Sequence, residues 1–217
     1  EIYWGETRST ATLELMGDQI EFLNKIVETG KPFILDVISS KPLIIPTNVR
    51  NNARAIIQQF SPGQMGGQAF ADAIFGLYNP SGRLTISIPY HVGQQPIYYN
   101  VTRGCHQNCY ADMTFDPCWP FGYGLSYSKI VYECAKLNKD KFISDMNEVL
   151  ECSVTLKNES DRDAVEVVQI YINDVITSCT WAVEELKGFE RVDLKAHETK
   201  TVVVKVPICE CSIVNAE

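Results

Sequence analysis

The stretch that first invites a chemical reading is Pro62-Gly63-Gln64-Met65-Gly66-Gly67, a glycine-rich loop that runs into an apolar helical pattern. Loops of this kind at helix N-termini can present amide N–H groups to a phosphate. Neither Gly-x-x-x-x-Gly-Lys-Ser/Thr nor Gly-x-Gly-x-x-Gly is matched here, so the glycines are read as serving a tight turn and a close approach of helix to sheet. His91, His106 and His197 are too scattered to suggest a metal set, and each is read as solvated. Ser126 lies in Gly-Leu-Ser-Tyr, which lacks the Gly-x-Ser-x-Gly elbow of serine hydrolases, and is read as a linker residue. No cofactor and no metal are expected. The 8 cysteines show no repeated zinc-type pair, so oxidised pairs are the simpler expectation. Cys105, Cys109 and Cys118 crowd one polar loop that a disulfide could restrain, while Cys209 and Cys211, two apart, would face the same side of a strand.

The elements that must hold these residues change period along the chain. Between Gly17 and Gly30, Ile20, Leu23, Ile26 and Val27 recur at helical spacing, with Gly30 and Pro32 placed to end the helix. Phe33 to Ile38 has the composition of a strand buried on both faces of a parallel sheet. An irregular stretch opened by Pro42 and Pro46 precedes a second such run, Ala55 to Phe60, and a helical pattern spans Gly67 to Phe75. Strand alternating with helix argues for an open α/β layer. The first helix has no strand before it, so the sheet is expected to be cut short at the N-terminus. Beyond Tyr127 the runs Val149–Leu156, Glu166–Ile172 and Thr201–Val206 are β-branched and separated by polar turns, which predicts an all-β sandwich. Such a sandwich wants about seven strands, and the chain is expected to stop before the last one or two.

With 217 residues and 45% hydrophobic composition, the chain can bury a core in one large domain or two small ones. A net charge of −8, from 27 acidic and 19 basic residues with no basic patch, argues against nucleic acid. No apolar stretch reaches the roughly 20 residues of a membrane span; the longest, Phe33 to Pro46, is broken by Asp36, Ser39, Ser40 and Lys41. The sequons Asn100-Val101-Thr102 and Asn158-Glu159-Ser160, together with the cysteines, lead us to expect a secreted or lumenal glycoprotein. The leader that this implies would not be visible in a chain that opens inside a domain.

Three segments carry a resemblance: Pro62 to Gly76 with Asn79-Pro80-Ser81-Gly82-Arg83-Leu84, then Phe121-Gly122-Tyr123-Gly124-Leu125-Ser126-Tyr127, then Glu184-Glu185-Leu186-Lys187-Gly188-Phe189-Glu190. Over nearly its whole length the chain resembles the C-terminal part of family 3 glycoside hydrolases of β-glucosidase and β-xylosidase type. The resemblance implies a partial α/β domain at 1–100, a cysteine-containing linker at 101–128 and a fibronectin type III-like sandwich at 129–217. It also implies a missing (β/α)₈ barrel that carries the nucleophilic aspartate. The function implied is hydrolysis of terminal β-linked glucose or xylose with retention, in carbohydrate metabolism. This chain would supply the general acid/base but not the nucleophile, and would be inactive alone.

Retaining hydrolysis sets two carboxyl groups about 5 to 5.5 Å apart, one to attack the anomeric carbon and one to protonate the leaving oxygen. In the family the acid comes from a loop of the α/β domain, and the matching stretch here starts Trp4-Gly5-Glu6-Thr7-Arg8-Ser9-Thr10. Glu6 is the candidate acid/base and Glu1 its competitor. Tyr3 and Trp4 beside them are candidates to stack on sugar, and Arg103, in the segment of Tyr98, Tyr99 and Asn100, is a further substrate-binding candidate. Trp119 is expected to be structural. Ser9-Thr10 stands where many members have Asp-Arg, so no role of that pair carries over. The alternatives are a non-catalytic module that binds carbohydrate or protein, and a barrel supplied by a separate chain.

Overall fold

The structure, a computed structural model, describes residue 7 and residues 9–105, 110–141 and 147–213. They sort into two units, those within Glu1–Phe75, Ile86–Ile97 and Asn108–Pro120 and those within Gly76–Thr85, Tyr98–Gln107 and Phe121–Glu217.

The first unit is α/β. Helix α1 (Gln19–Glu28) turns Leu23 into the core and ends where Gly30 takes φ +64°, a left-handed residue of the kind that closes helices. Strand β1 (Ile34–Val37) pairs in parallel with β2 (Ala55–Gln58), with Ile34 opposite Ala55 and Val37 opposite Gln58. The expectation that the first strand is buried on both faces does not hold, since Ile34 is 43% and Ile38 53% exposed. Among the described residues this sheet has two strands, which leave open part of the surface that a wider sheet would cover. The stretch after Pro46, expected to be irregular, forms helix α2 (Thr47–Asn52). Six residues hold too little of a 3.6-residue period to be read, yet Val49 is fully buried in the core with Leu23, Val37 and Ile45. Helix α3 (Gly66–Ile74) lies where the apolar pattern put it.

The second unit is the predicted β-sandwich. Strands β3 (Ile130–Leu137), β4 (Val149–Asn158) and β7 (Thr199–Pro207) form one antiparallel sheet in the order β3-β4-β7. Strands β5 (Ala164–Ile172) and β6 (Glu185–Leu194) form a second antiparallel pair. Alternate residues of both sheets fill one core, including Cys152, Val154, Leu156, Val168, Val192, Leu194 and Val204. Leu156, Leu194, Val168 and Val206 are each under 2% exposed, and burial of such side chains is worth about 1.5–3 kcal/mol apiece. β3 escaped the sequence reading because most of its side chains are exposed and a bulge at Tyr132/Cys134 breaks its alternation.

Two glycine motifs find a packing reason here. A Cβ on Gly188 in β6 would come within 3.0 Å of Val204 Cγ1 and Val206 Cγ2, so the absent side chain lets β6 close on β7. A Cβ on Gly124 would collide with the carbonyl of Gly82, which brings the 121–127 motif onto the Asn79–Leu84 motif. The latter is held to the sandwich by Arg83, whose Nη2 lies 2.7 Å from Glu166 Oε1 on β5, with both side chains almost buried.

The oxidised pairs expected from the sequence are not formed among the described cysteines. Cys105, Cys118, Cys134, Cys152, Cys179, Cys209 and Cys211 are free thiols, while Cys109 lies outside the described residues. Cys152 belongs to the sandwich core, and burial pushes its thiol pKa up. Cys209 and Cys211 stand on a 3-10 turn (Ile208–Cys211) that begins where Pro207 ends β7, not on a strand.

Candidate functional site

Glu1, Tyr3, Trp4 and Glu6 lie outside the described residues, as do Arg8 and His106. The segment just downstream of the candidate acid, from Ser9 onward, is described. In open α/β sheets ligands bind beyond the carboxyl ends of the strands, where the loops after each strand meet. In the first unit these are the loop after β1, from Ile38 to Ile44, and the loop after β2, from Gln59 to Met65.

Residues 9–14 are stitched to the loop after β1. Ile44 N–H donates to Leu13 O at 2.8 Å, and Glu14 forms an isolated parallel bridge with Ile44. The Lys41 ammonium donates to Thr10 O and Thr12 O at 2.8 Å each and to the Thr10 hydroxyl. That hydroxyl in turn donates to Thr12 O at 3.0 Å. Burial pushes the Lys41 pKa down, as expected for an ammonium withdrawn from water among carbonyls. Its own backbone is set by Ser39, fully buried, whose Oγ donates to Lys41 O at 2.7 Å and accepts from Lys41 N at 3.3 Å.

The loops after β1 and β2 are joined as well. Ser40 Oγ and Ser61 Oγ lie 2.9 Å apart, and Gln58 Nε2 donates to Ser39 O at 3.2 Å. Gln59 Nε2 donates to Asp36 Oδ2 at 2.6 Å, while Asp36 Oδ1 is buried without a hydrogen-bond partner among the described residues. Phe60 holds φ +46°, a left-handed conformation that costs a bulky residue about 1–3 kcal/mol and collects at functional loops. The edge therefore combines a bound ammonium, a half-satisfied carboxylate and a strained aromatic. Such an edge can hold a loop carboxylate in place and offer polar groups to a hydroxylated ligand. None of Lys41, Asp36, Gln59 and Phe60 was singled out from the sequence as a site residue. The available signal was the polar run Ser39-Ser40-Lys41 set directly behind an apolar strand.

In the second unit, Arg103 is engaged with its neighbours. Its Nη2 donates to Asn173 Oδ1 at 2.8 Å and to Asp174 O at 2.6 Å, and its N–H to Trp181 O at 3.3 Å. Tyr99 stacks on Phe121 with ring centroids 4.1 Å apart and meets Tyr171 edge-on, whereas Tyr98 is 67% exposed. Trp119 is structural: its N–H and carbonyl both pair with Ile88. Among the histidines, His91 caps a 3-10 turn by accepting from Gly93 N–H, and His197 pairs with Asp161 at the surface. Ser126 Oγ donates to Asn79 Oδ1 at 2.9 Å. No group of three or more metal-ligating side chains and no helix long and apolar enough to cross a membrane occur among the described residues.

Comparison with known proteins places this geometry. A family model for the glycosyl hydrolase family 3 C-terminal domain matches residues 2–127, and one for a fibronectin type III-like domain matches residues 166–217. A β-xylosidase of Formosa agariphila is 37% identical over 218 residues, covering 98% of this chain and 30% of that protein. A periplasmic β-glucosidase of Salmonella typhimurium is 36% identical over 213 residues, covering 94% of this chain and 28% of that protein. The solved structure of a β-glucosidase involved in saponin metabolism from intestinal bacteria superposes with a TM-score of 0.89 at 41% identity, covering 98% of this chain and 31% of that one. The chain thus spans less than a third of the length of these relatives.

Proposed function

We propose, since the chain belongs to glycosyl hydrolase family 3, that it works as the C-terminal part of a longer retaining β-glycosidase acting on terminal β-linked glucose or xylose. Its relatives carry β-glucosidase and β-xylosidase activities in their names, and the family match over residues 2–127 carries the reading. Glu6 acts as general acid toward the leaving oxygen and then, as carboxylate, draws the proton from the attacking water, with Glu1 as the competing candidate. Tyr3 and Trp4 assist in holding the sugar. The nucleophilic carboxylate comes from a (β/α)₈ barrel in the same protein, so this chain alone turns over no glycoside. We place the protein in a secreted or lumenal compartment, in keeping with the sequon Asn100-Val101-Thr102 on an exposed turn.

The test compares hydrolysis of aryl β-glucosides and β-xylosides by this chain and by the full-length protein. Turnover in the full-length protein alone is expected, and turnover by the isolated chain would overturn the division of the catalytic pair. In the full-length protein, Glu6→Gln should cut kcat by about 10²–10⁴ where leaving-group protonation limits the rate. Unchanged kcat on such a substrate would remove Glu6 from the mechanism.

A further inference from the structure

We propose that Lys41 is a positioning residue for the acid/base loop, clamping residues 10–12 so that the carboxylate a few positions upstream meets the leaving oxygen. The inference rests on the glycosidase reading above, but its observations are independent of it. Lys41 reaches back 29–31 residues in sequence to bind Thr10 O, Thr10 Oγ1 and Thr12 O. These acceptors are grouped, because the Thr10 hydroxyl accepts from the ammonium while donating to Thr12 O. The turn is closed on its other side by Glu14 N–H donating to Thr12 Oγ1 at 3.0 Å.

The arrangement is built from the lysine's side as well. Ser39 is fully buried and binds both the N–H and the carbonyl of Lys41, which fixes the root of the side chain. The bridge of Glu14 with Ile44 anchors the far end of the same segment. A chain held at Thr10, Thr12 and Glu14 leaves only three residues between the clamp and Glu6. Placement matters for a group that transfers a proton: a misplacement of about 1 Å can cost on the order of 10²-fold in rate. The cradle calls for a donor of several hydrogen bonds, because its lining groups are acceptors, and the ammonium supplies three. Methionine would keep the length of the side chain and lose every donor.

The test uses the full-length protein and two substrates that differ in their need for an acid: a β-glycoside with a dinitrophenolate leaving group, and a methyl or disaccharide β-glycoside whose alkoxide must be protonated. Active sites are counted by a mechanism-based fluoroglycoside, so that misfolded protein does not enter kcat. Lys41→Met should lower kcat/KM, which reports the glycosylation step alone, by about 10–100-fold for the alkyl substrate and by less than about threefold for the dinitrophenyl substrate. Lys41→Arg, which keeps donors at that place, should recover most of the loss. An equal fall on both substrates, or no change on either, would overturn the positioning role. Glu6→Gln measured alongside answers the other question: its own leaving-group split tells whether Glu6 is the acid, whatever Lys41→Met shows.

Discussion

The Arg83–Glu166 pair gives the sharpest test of how the Asn79–Leu84 motif is held on the sandwich. The two side chains are 13% and 10% exposed and 2.7 Å apart, so screening by water is small and both charges depend on each other. Glu166 Oε1 also accepts from Val167 N–H at 2.9 Å, and the Arg83 Nη1 also reaches Ser81 O and Gly82 O at 3.2 Å. Removing one partner strands the other, which in buried pairs costs about 3–5 kcal/mol, whereas an exposed pair is worth only about 0–1 kcal/mol. Arg83→Met is therefore expected to destabilise the second unit by about 4 kcal/mol. With a urea slope of about 2 kcal/mol per M, the midpoint falls by about 2 M. Hydrogen exchange along a urea gradient, read on peptides of β5, reports this unit apart from the first. The double variant Arg83→Met with Glu166→Met should regain at least half of the loss, since no charge is then left buried. A single-variant cost below about 1 kcal/mol, or a double variant no better than the single, would refute the reasoning.

Three other outcomes hang on single positions. Gly188→Ala places a methyl group 3.0 Å from Val204 Cγ1 and Val206 Cγ2, and overpacking of that kind costs about 1–3 kcal/mol, visible as a lowered melting temperature of the sandwich. Tyr132, a half-exposed residue of β3, has its phenol pushed up to about 12 by partial withdrawal from water and by the neighbouring Glu166 carboxylate. Its contribution to stability is therefore intact below pH 10 and lost as pH rises toward 12, and Tyr132→Phe should remove that alkaline step from a stability profile. A tyrosinate absorbance band from this residue in the folded protein at pH 10 would contradict it. Expressed through a eukaryotic secretory route, the chain should carry glycan at the exposed turn residue Asn100. It should carry none at Asn158, which is fully buried and donates through Nδ2 to Arg162 O at 2.7 Å and Lys195 O at 3.0 Å. Glycopeptide mass spectrometry on folded protein settles this, and an occupied Asn158 would count against the fold described for that turn.

Which parts of the fold were legible in the sequence depended on how far each element's own period betrayed it. α1 shows a stripe of Ile20, Leu23, Ile26 and Val27 over several turns, and β4, β5 and β7 are long β-branched runs, so packing and local preference agree and the pattern is visible. α2 and β3 fail that condition for opposite reasons. α2 is too short to show a period although its Val49 is buried, and β3 is long enough but mostly exposed, with a bulge that shifts its register. The cysteines misled because a count of thiols gives no account of distance. Cys152 is placed by its alternation in β4 among Val154 and Leu156, where it behaves as a small apolar side chain.

The site was legible to the extent that chemistry is written in adjacent residues. The Glu6 loop could be nominated by resemblance, but the segment downstream of it is gripped from across the sheet edge, and nothing local to Lys41 announces that its ammonium will meet the carbonyls of Thr10 and Thr12. The same holds for Asp36, whose partner Gln59 sits 23 residues on, at the end of the neighbouring parallel strand. Parallel pairing is what converts these distant positions into neighbours: it puts the ends of β1 and β2 side by side, so the loops leaving the two strands must share one rim. A catalytic carboxylate on a loop gains its precision from such a rim and not from its own segment. On the reading proposed above, the lysine that grips residues 10–12 is for that reason as much a part of the acid/base apparatus as the sequence around the acid.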